Sequence, residues 1–334
     1  MTTAHPEQPS GDETSRPRMR AAVLDRFGGA DQLVLREIPR PEVGPEDVLV
    51  RVEYAGVASW DAVEREGAYD GAFGVPSTFP YVLGWDAAGR VAAVGREVTG
   101  LAVGDRVYAA TMPVPRGGAY AEYVVVAAEH VAPVPHRLPT EQAGVLAWDA
   151  LTAQSGLDLL DLPPGGSLLV FGASGGIGHL AVHLARHRGL RVLAVASGDD
   201  GVDLARRSGA EVVVDGRRDD VAAAASDLAP DGLDGALVTA GGETAERSLR
   251  AVKASGRIAW PHGVLPVPAR PPAARLSHYD GDRSRRALER LNAVVAASSF
   301  EVHVARTFPL ERVQDAHAAL RDHYVGKLAL RVSS

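Results

Sequence analysis

The fold is decided by residues 165–197, GGSLLVFGASGGIGHLAVHLARHRGLRVLAVAS, where strand, glycine loop, helix and second strand follow one another without interruption. The apolar run at 167–171 is typical of a strand buried on both faces of a parallel sheet. Next comes a GxGxxG-like loop, which allows a tight turn, close backbone approach to a pyrophosphate and close packing of the helix at 176–187. We therefore predict a dinucleotide site, the alternative being a glycine-rich turn that binds nothing. The loop residues predicted to contact the nucleotide are Ala173, Ser174, Gly175, Gly176, Ile177 and Gly178.

The composition is that of a folded globular protein. Its 334 residues suffice for two domains with cores of their own, and 46% of them are hydrophobic. A formal net charge of −7 argues against general affinity for nucleic acid or anionic membranes. No apolar run reaches the roughly 18 residues of a membrane helix. The absence of cysteine excludes disulfides, thiolate nucleophiles and thiolate-bound metals.

Different patterns divide the chain into an α/β protein of two domains. Residues 1–18 have no apolar core that could serve as a secretory signal, so we expect a flexible tail and a cytoplasmic location. Up to about Val131, short apolar runs separated by Gly and Pro predict a small β-barrel. After Gly165, alternating strands and helices predict a doubly wound parallel sheet, and the proline-rich stretch 266–276 reads as a loop. The predicted domains are a catalytic barrel domain at 19–145 and 284–334 and a nucleotide domain at 146–283.

Several further segments carry a family resemblance. They are 19–57 (MRAAVLDRFGGADQLVLREIPRPEVGPEDVLVRVEYAGV), 80–95 (PYVLGWDAAGRVAAVG), 103–109 (VGDRVYA), 117–126 (GGAYAEYVVV), 150–153 (ALTA) and 326–332 (GKLALRV). With these, the chain resembles the medium-chain dehydrogenase/reductase superfamily, and within it the zinc-independent quinone oxidoreductase branch. The resemblance implies a GroES-like β-barrel catalytic domain, a Rossmann cofactor domain, hydride-transfer chemistry and a homodimer.

The resemblance also locates the positions at which alcohol dehydrogenases of the superfamily hold a catalytic zinc. Here they are Ala58, Trp85 and Trp148, none of which binds zinc, so we expect no metal and disfavour alcohol oxidation. Trp60, Trp85 and Trp148 then predict an aromatic-walled pocket for a flat conjugated acceptor. Alternatively, the indoles only fill the volume left by a metal and its ligands. His262 is predicted to border the pocket.

A stripe of three histidines lies on the helix at 176–187. His179, His183 and His187 are spaced like metal ligands, but one helix face seldom wraps a metal, so we interpret them as a packed or solvated face.

The end of the second strand indicates which nicotinamide cofactor is used. Ala196 stands where NAD-preferring sites hold a ribose-binding carboxylate, and Ser197 and Gly198 offer hydroxyl and amide donors to a 2′-phosphate. NADPH is therefore predicted. Asp199 and Asp200 follow at once, and NADH stays open if they face the ribose.

Other cofactor contacts are predicted more weakly. Arg206 and Arg207 could supply positive charge, or be exposed helix residues. Ala240 and Gly241, at the end of the fourth predicted strand (235–240), allow close backbone approach. By resemblance, Thr152 lies beside the nicotinamide and Lys327 near the cleft.

The proton donor is the hardest residue to identify. The segment 56–69 has Val63 where related reductases carry a tyrosine, which leaves Asp61 and Tyr69 as catalytic candidates and solvent as an alternative source. Structural hydrogen bonding for Asp61 and packing for Tyr69 are the competing interpretations.

We predict a zinc-independent NADPH-dependent reductase of quinones or α,β-unsaturated carbonyls that acts on a small molecule, without nucleic-acid or membrane partners. The alternatives are a ketone or biosynthetic-intermediate reductase and a catalytically quiet NADPH-binding redox sensor.

Overall fold

The computed structural model describes residues 16–72, 74–268 and 274–333. Most of the predicted tail and part of the predicted proline-rich loop lie outside these ranges. The strands are β1 (Arg18–Leu24), β2 (Val34–Pro39), β3 (Asp47–Val57), β4 (Tyr81–Val82), β5 (Asp86–Val94), β6 (Arg106–Ala110), β7 (Tyr123–Ala127), β8 (Val131–Pro133), β9 (Ser167–Phe171), β10 (Arg191–Ala196), β11 (Val212–Asp215), β12 (Leu233–Val238), β13 (Val252–Pro261), β14 (Arg275–Tyr279), β15 (Val304–Pro309) and β16 (Lys327–Arg331). The α-helices are α1 (Ser59–Arg65), α2 (Thr140–Ala143), α3 (Ala147–Leu160), α4 (Gly176–His187), α5 (Gly198–Arg207), α6 (Val221–Leu228), α7 (Glu243–Leu249), α8 (Arg285–Ala297) and α9 (Val313–Ala319).

The nucleotide domain is a six-stranded parallel sheet. Its strand order is β11-β10-β9-β12-β13-β14. The chain thus adds β10 and β11 on one side of β9 and then adds β12, β13 and β14 on the other side, so the strand order reverses between β9 and β12. All five residues of β9 are buried, as the continuous apolar run predicts for a central strand. The doubly wound parallel sheet predicted from the sequence is confirmed.

Two details of this sheet differ from the sequence prediction. The proline-rich stretch 266–276 does not end as a loop, because Arg275 begins β14, which pairs in parallel with β13. The turn-forming residues of this stretch predict a loop, so the sequence pattern does not indicate the short edge strand. The fourth strand also ends at Val238, two residues before the predicted end at Ala240.

The remaining strands form two mainly antiparallel sheets around a separate core, with β15 and β16 paired in parallel. One has the order β15-β16-β3-β5-β6-β8, with β7 also paired to β3, and a second has the order β2-β1-β4. The C-terminal β16 lies beside β3 in a register that pairs Leu328 with Val57. The chain end therefore returns to the first domain, as predicted, and brings Lys327 to the start of α1. The boundaries at 146 and 284 stay predictions.

Helix α3 connects the two domains. Ten of its 14 residues are buried, and it contacts α4 and β13 on one side and β6 and α8 on the other. A helix buried over most of its length belongs in an interior, and α3 lies where the two domains meet. Within the described ranges, no helix has both the length and the apolar character needed to cross a membrane.

Candidate active site

A cleft of about 440 Å³ lies at the carboxyl ends of the parallel strands, where the strand order reverses between β9 and β12. This is the position at which open α/β sheets bind ligands. Its walls come from the loops that follow β9, β10, β11 and β12, from the start of α1 and from the segment that leads into β16. The predicted cofactor residues that line it are Ser174, Gly175, Gly176, Ile177, Ser197, Ala240 and Lys327.

The glycine loop has no room for side chains at two of its positions. A Cβ at Gly178 would lie 2.0 Å from the carbonyl oxygen of Gly172, and one at Gly176 would lie 2.5 Å from Asp149 Oδ1. A Cβ at Gly175 would lie no closer than 3.4 Å to its nearest neighbour, so it would not clash. The absence of a side chain there keeps the cleft open. This cradle fits a pyrophosphate, because the backbone and the N-terminal amides of α4 face the cleft. The buried Ala173 and Gly178 support the loop without lining it.

The residues after β10 and β11 form the other end of the cleft. Asp199 pairs with Arg218, and Asp200 lies 2.9 Å from His323 Nε2, so both carboxylates have side-chain partners. Arg217, on the loop after β11, lines the cleft together with Ser197. Its guanidinium forms no ion pair with any residue in the described part of the chain. Gly198 begins α5 with φ +80° and does not line the cleft.

The positive charge at this end does not come from the predicted arginines. Arg206 pairs with Asp203 at 3.1 Å and Arg207 with Glu301 at 3.5 Å, both at the surface. They are exposed helix residues because α5 turns them away from the cleft.

A buried ion-pair cluster lies beside the glycine loop. Lys327 Nζ donates a hydrogen bond to Asp149 Oδ2 and lies 3.9 Å from Asp86 Oδ2, and all three side chains are at most 3% exposed. Burial raises the pKa of Asp86. The attraction of Lys327 opposes this shift and the charge of Asp149 adds to it, and the resulting pKa is about 7. Burial likewise raises the pKa of Asp149. Lys327 also lies 5.1 Å from the ring centroid of Trp60, which lines the cleft.

The three positions that correspond to zinc ligands lie in one region. Ala58 lines the cleft, and the rings of Trp85 and Trp148 pack edge to face behind it, with centroids 5.1 Å apart. Both indole groups act as hydrogen-bond donors: Trp85 Nε1 to Glu64 Oε2 at 2.6 Å, and Trp148 Nε1 to the Thr111 carbonyl at 2.8 Å. Of the three predicted tryptophans, only Trp60 lines the cleft.

The two catalytic candidates lie behind this region and do not line the cleft. Asp61 is 1% exposed, and its Oδ2 accepts hydrogen bonds from the Ala58 amide at 2.8 Å and the Tyr120 hydroxyl at 3.0 Å. Burial, reinforced by the charge of Glu64, raises its pKa well above the usual value. Tyr69 packs edge to face on Trp85 with ring centroids 6.2 Å apart. Asp61 thus makes hydrogen bonds that suit its structural interpretation, and Tyr69 makes a ring contact that suits its packing interpretation. A catalytic role for either side chain stays a prediction.

Three other predicted residues lie away from the cleft. Thr152 is buried within α3 and packs against Gly281, where a Cβ atom added to the glycine would lie 2.8 Å from Thr152 Oγ1. His262 is exposed at the surface, and its Nδ1 lies 2.6 Å from Asp280 Oδ1. Gly241 packs against the backbone of 265–266. The Gly241 contact is with the loop after β13, and the contacts of Thr152 and His262 are with residues 280–281 after β14, neither of which the sequence pattern alone places.

The histidine stripe of α4 has protein partners. His179 Nδ1 lies 2.8 Å from the Gly175 carbonyl, and its Nε2 accepts a hydrogen bond from the His303 amide at 3.2 Å. His183 packs on Phe300, and His187 is exposed. No group of three or more potential metal ligands occurs in the described ranges.

Comparison with known proteins agrees with this architecture. The family model for the alcohol dehydrogenase GroES-like domain matches residues 44–136, and that for zinc-binding dehydrogenases matches 176–268. The NADPH-dependent alkenal/one oxidoreductase of Arabidopsis thaliana is 30% identical over 96% of this chain and 81% of its own length. The quinone oxidoreductase of Pseudomonas aeruginosa is 36% identical over 70% of each chain. A solved NAD-dependent alcohol dehydrogenase superposes with a TM-score of 0.85 at 29% identity, over 94% of this chain and all of that one.

The chain belongs to the medium-chain dehydrogenase/reductase superfamily, in its quinone oxidoreductase-like branch. Within a medium-chain dehydrogenase/reductase, the arrangement around Ala58, Trp85 and Trp148 has a specific chemical meaning. An indole nitrogen is a donor without a free lone pair, and here both nitrogens already donate to oxygen atoms. These side chains therefore do not fit a zinc ion.

Sequence reasoning missed several residues of this medium-chain dehydrogenase/reductase site. They are Asp86, Asp149, Arg217 and Tyr324. A signal existed for Arg217, because the ends of neighbouring parallel strands meet at one sheet edge, and the sequence GRRDD directly follows β11. For Asp149 and Asp86 the only signal was an unexplained acid after each tryptophan.

Proposed function

We propose that this chain is a zinc-independent, NADPH-dependent reductase that transfers hydride to a quinone or an α,β-unsaturated carbonyl compound. The observation that carries the proposal is the cleft at the point where the strand order reverses. This cleft extends from the glycine loop to Trp60 and to Ala58, which stands at one of the positions that correspond to zinc ligands. When bound, reduced nicotinamide supplies a hydride equivalent to an electrophilic carbon. The names of the Arabidopsis and Pseudomonas relatives support this substrate class.

The cofactor assignment rests on charge at the adenosine end. Ser197 and Arg217 both line the cleft there, and neither Asp199 nor Asp200 does. A guanidinium and a hydroxyl suit a 2′-phosphate, because charge-assisted hydrogen bonds to phosphate are strong. Lys327, beside the glycine loop, places an ammonium group near the pyrophosphate position, within the buried cluster that also contains Asp86 and Asp149.

The acceptor assignment rests on the chemistry of the opposite wall. A conjugated acceptor takes hydride directly and does not need a metal-bound alkoxide. Trp60 offers an apolar face on which a flat ring can stack, and Ala58 leaves space beside it. Tyr324 also lines the cleft, and burial raises the pKa of its hydroxyl, so it stays protonated as a hydrogen-bond donor at neutral pH.

The direct test is to mix purified protein with NADPH or NADH and a panel comprising a quinone, a cyclic enone, a saturated ketone and a primary alcohol, and to follow the reduced-nicotinamide absorbance. We expect oxidation of NADPH by the quinone or the enone at a rate that a strong zinc chelator does not change. Turnover with NADH alone would contradict the cofactor assignment. Activity on only the ketone or the alcohol would contradict the acceptor class, and tight NADPH binding without turnover would favour a redox sensor.

We further propose a homodimer in the cytoplasm. The homodimer rests on the family resemblance and the location on composition, and sedimentation of the purified protein tests the first.

A further inference from the structure

Three elements that are distant in sequence bring charged groups to the base of the glycine loop. Asp86 begins β5, Asp149 lies in α3 and Lys327 begins β16. A Cβ on Gly176 would lie 2.5 Å from Asp149 Oδ1 and 2.9 Å from Lys327 Cδ. The cluster is therefore in contact with the first turn of α4, the part of the loop that a diphosphate approaches.

The charges in this cluster do not balance. Two carboxylates face one ammonium, and all three groups are almost completely removed from water. Fully ionised, the cluster carries one net negative charge in a buried place, which is costly. A diphosphate would add two more negative charges next to it. Protonation of one carboxyl group makes the cluster neutral and removes most of this repulsion.

We propose that Asp86 and Asp149 are positioning residues for the dinucleotide: they hold the Lys327 ammonium at the glycine loop, and together they take up one proton when a diphosphate enters the cleft. This inference rests on the nucleotide binding proposed above. The proton comes from solvent and forms an O–H bond on one of the two carboxyl groups, and the other carboxylate stays paired with the Lys327 ammonium. No other bond changes.

Other titratable groups face the cluster and must be distinguished from it. On α4, burial lowers the pKa of His179 to about 3, so this ring is neutral throughout the relevant range. Tyr324, before β16, and Tyr120, before β7, have pKa values that burial raises, so both stay protonated. On α1, burial raises the pKa of Asp61 well above its usual value.

Glu64, also on α1, is the closest confounding group, because burial raises its pKa to about 7. It does not line the cleft, and its two oxygens accept hydrogen bonds from Tyr81 and Trp85. Glu64→Gln is therefore a matched control: it removes a buried carboxyl with a raised pKa that makes no contact with the glycine loop.

The test is calorimetric titration of NADP⁺ into the purified protein at about pH 8, where the 2′-phosphate is already fully ionised. Repeating it in buffers of different ionisation enthalpy gives the number of protons exchanged. We expect net uptake that approaches one proton per chain, the same uptake with NAD⁺, and much less at about pH 5.5, where one carboxyl is already protonated. Affinity should fall by up to about tenfold per pH unit above neutrality.

Asp86→Asn and Asp149→Asn should each abolish most of the uptake, and Glu64→Gln should retain it. Binding without proton uptake by the wild-type protein, or uptake that persists in both asparagine variants, would overturn the inference and leave the proposed function intact. Absence of binding by both nucleotides would overturn the proposed function as well. If neither asparagine variant folds, the wild-type titration at the two pH values decides.

Discussion

The indole Nε1 of Trp85 donates a hydrogen bond to Glu64 Oε2 at 2.6 Å, so a buried carboxyl group holds the ring that stands at a zinc-ligand position. The Tyr81 hydroxyl donates to the other oxygen, also at 2.6 Å. These two donors satisfy the hydrogen-bonding capacity of a carboxylate that burial otherwise penalises. Trp85 is thereby held against Trp148, with ring centroids 5.1 Å apart.

The raised pKa of Glu64 predicts a pH dependence of stability. Its folded-state pKa of about 7 lies above the ordinary value of 4.5, so the folded protein binds this proton more tightly than the unfolded chain. The resulting stabilisation is present below pH 4.5 and is lost as the pH rises through 7. Between pH 4.5 and pH 7, the free energy of unfolding of Glu64→Gln should therefore fall by about 3 kcal/mol less than that of the wild type. Urea unfolding at several pH values measures this, and an unchanged slope would assign the titration to another group.

Arg217 is predicted to determine the preference for NADPH. Arg217→Ala should weaken NADPH binding by roughly tenfold to a hundredfold, because a hydrogen bond to a charged group contributes about 1.5–3 kcal/mol. NADH binding should change little, since NADH has no 2′-phosphate. Arg206→Ala is the matched control, because Arg206 lies at the surface and pairs only with Asp203. Quenching of protein fluorescence by each nucleotide gives the affinities, and equal losses for both would refute the assignment.

Removal of the Lys327 ammonium should destabilise the fold. Lys327→Met leaves Asp86 and Asp149 buried without a cation, a change that typically costs about 3–5 kcal/mol. The loss should be larger at about pH 8.5 than at about pH 6, because without the ammonium the pKa of each buried carboxyl rises further, and a carboxyl that is protonated at the lower pH carries no unpaired buried charge. The double variant Lys327→Met/Asp149→Asn should recover part of the stability. Denaturant unfolding of the wild type, both single variants and the double variant is the measurement, and additive effects of the two substitutions would argue against the cluster.

Two glycines of the same loop should respond differently to alanine. Gly178→Ala places a Cβ 2.0 Å from the Gly172 carbonyl oxygen, so α4 must move from β9 and thermal stability should fall sharply. Gly175→Ala meets nothing closer than 3.4 Å, so the fold should be retained while nucleotide affinity falls by at least about tenfold, because the methyl group enters the cradle. Thermal unfolding and nucleotide titration distinguish the two effects. Loss of folding in Gly175→Ala would contradict this account.

Much of the fold could be predicted from local sequence. The bounds of α4 agree with the pattern, and the alternation after Gly165 predicts the parallel sheet. Local rules succeed here because apolar periodicity and glycine positions act within a few residues. They fail for β14, whose strand character comes from pairing with β13 and not from its own composition.

By itself, the sequence determined the nucleotide loop, the two-domain order and the loss of zinc-ligand side chains, since each is a property of residue types at fixed spacing. Only the tertiary structure decided which groups surround the loop. Asp149 and Lys327 are 178 residues apart in the chain, and their contact depends on the pairing of β16 with β3 and on the burial of α3 between the two domains. Long-range register of this kind has no local signal, so the charge cluster and the position of Arg217 beside Ser197 emerge only in the folded protein.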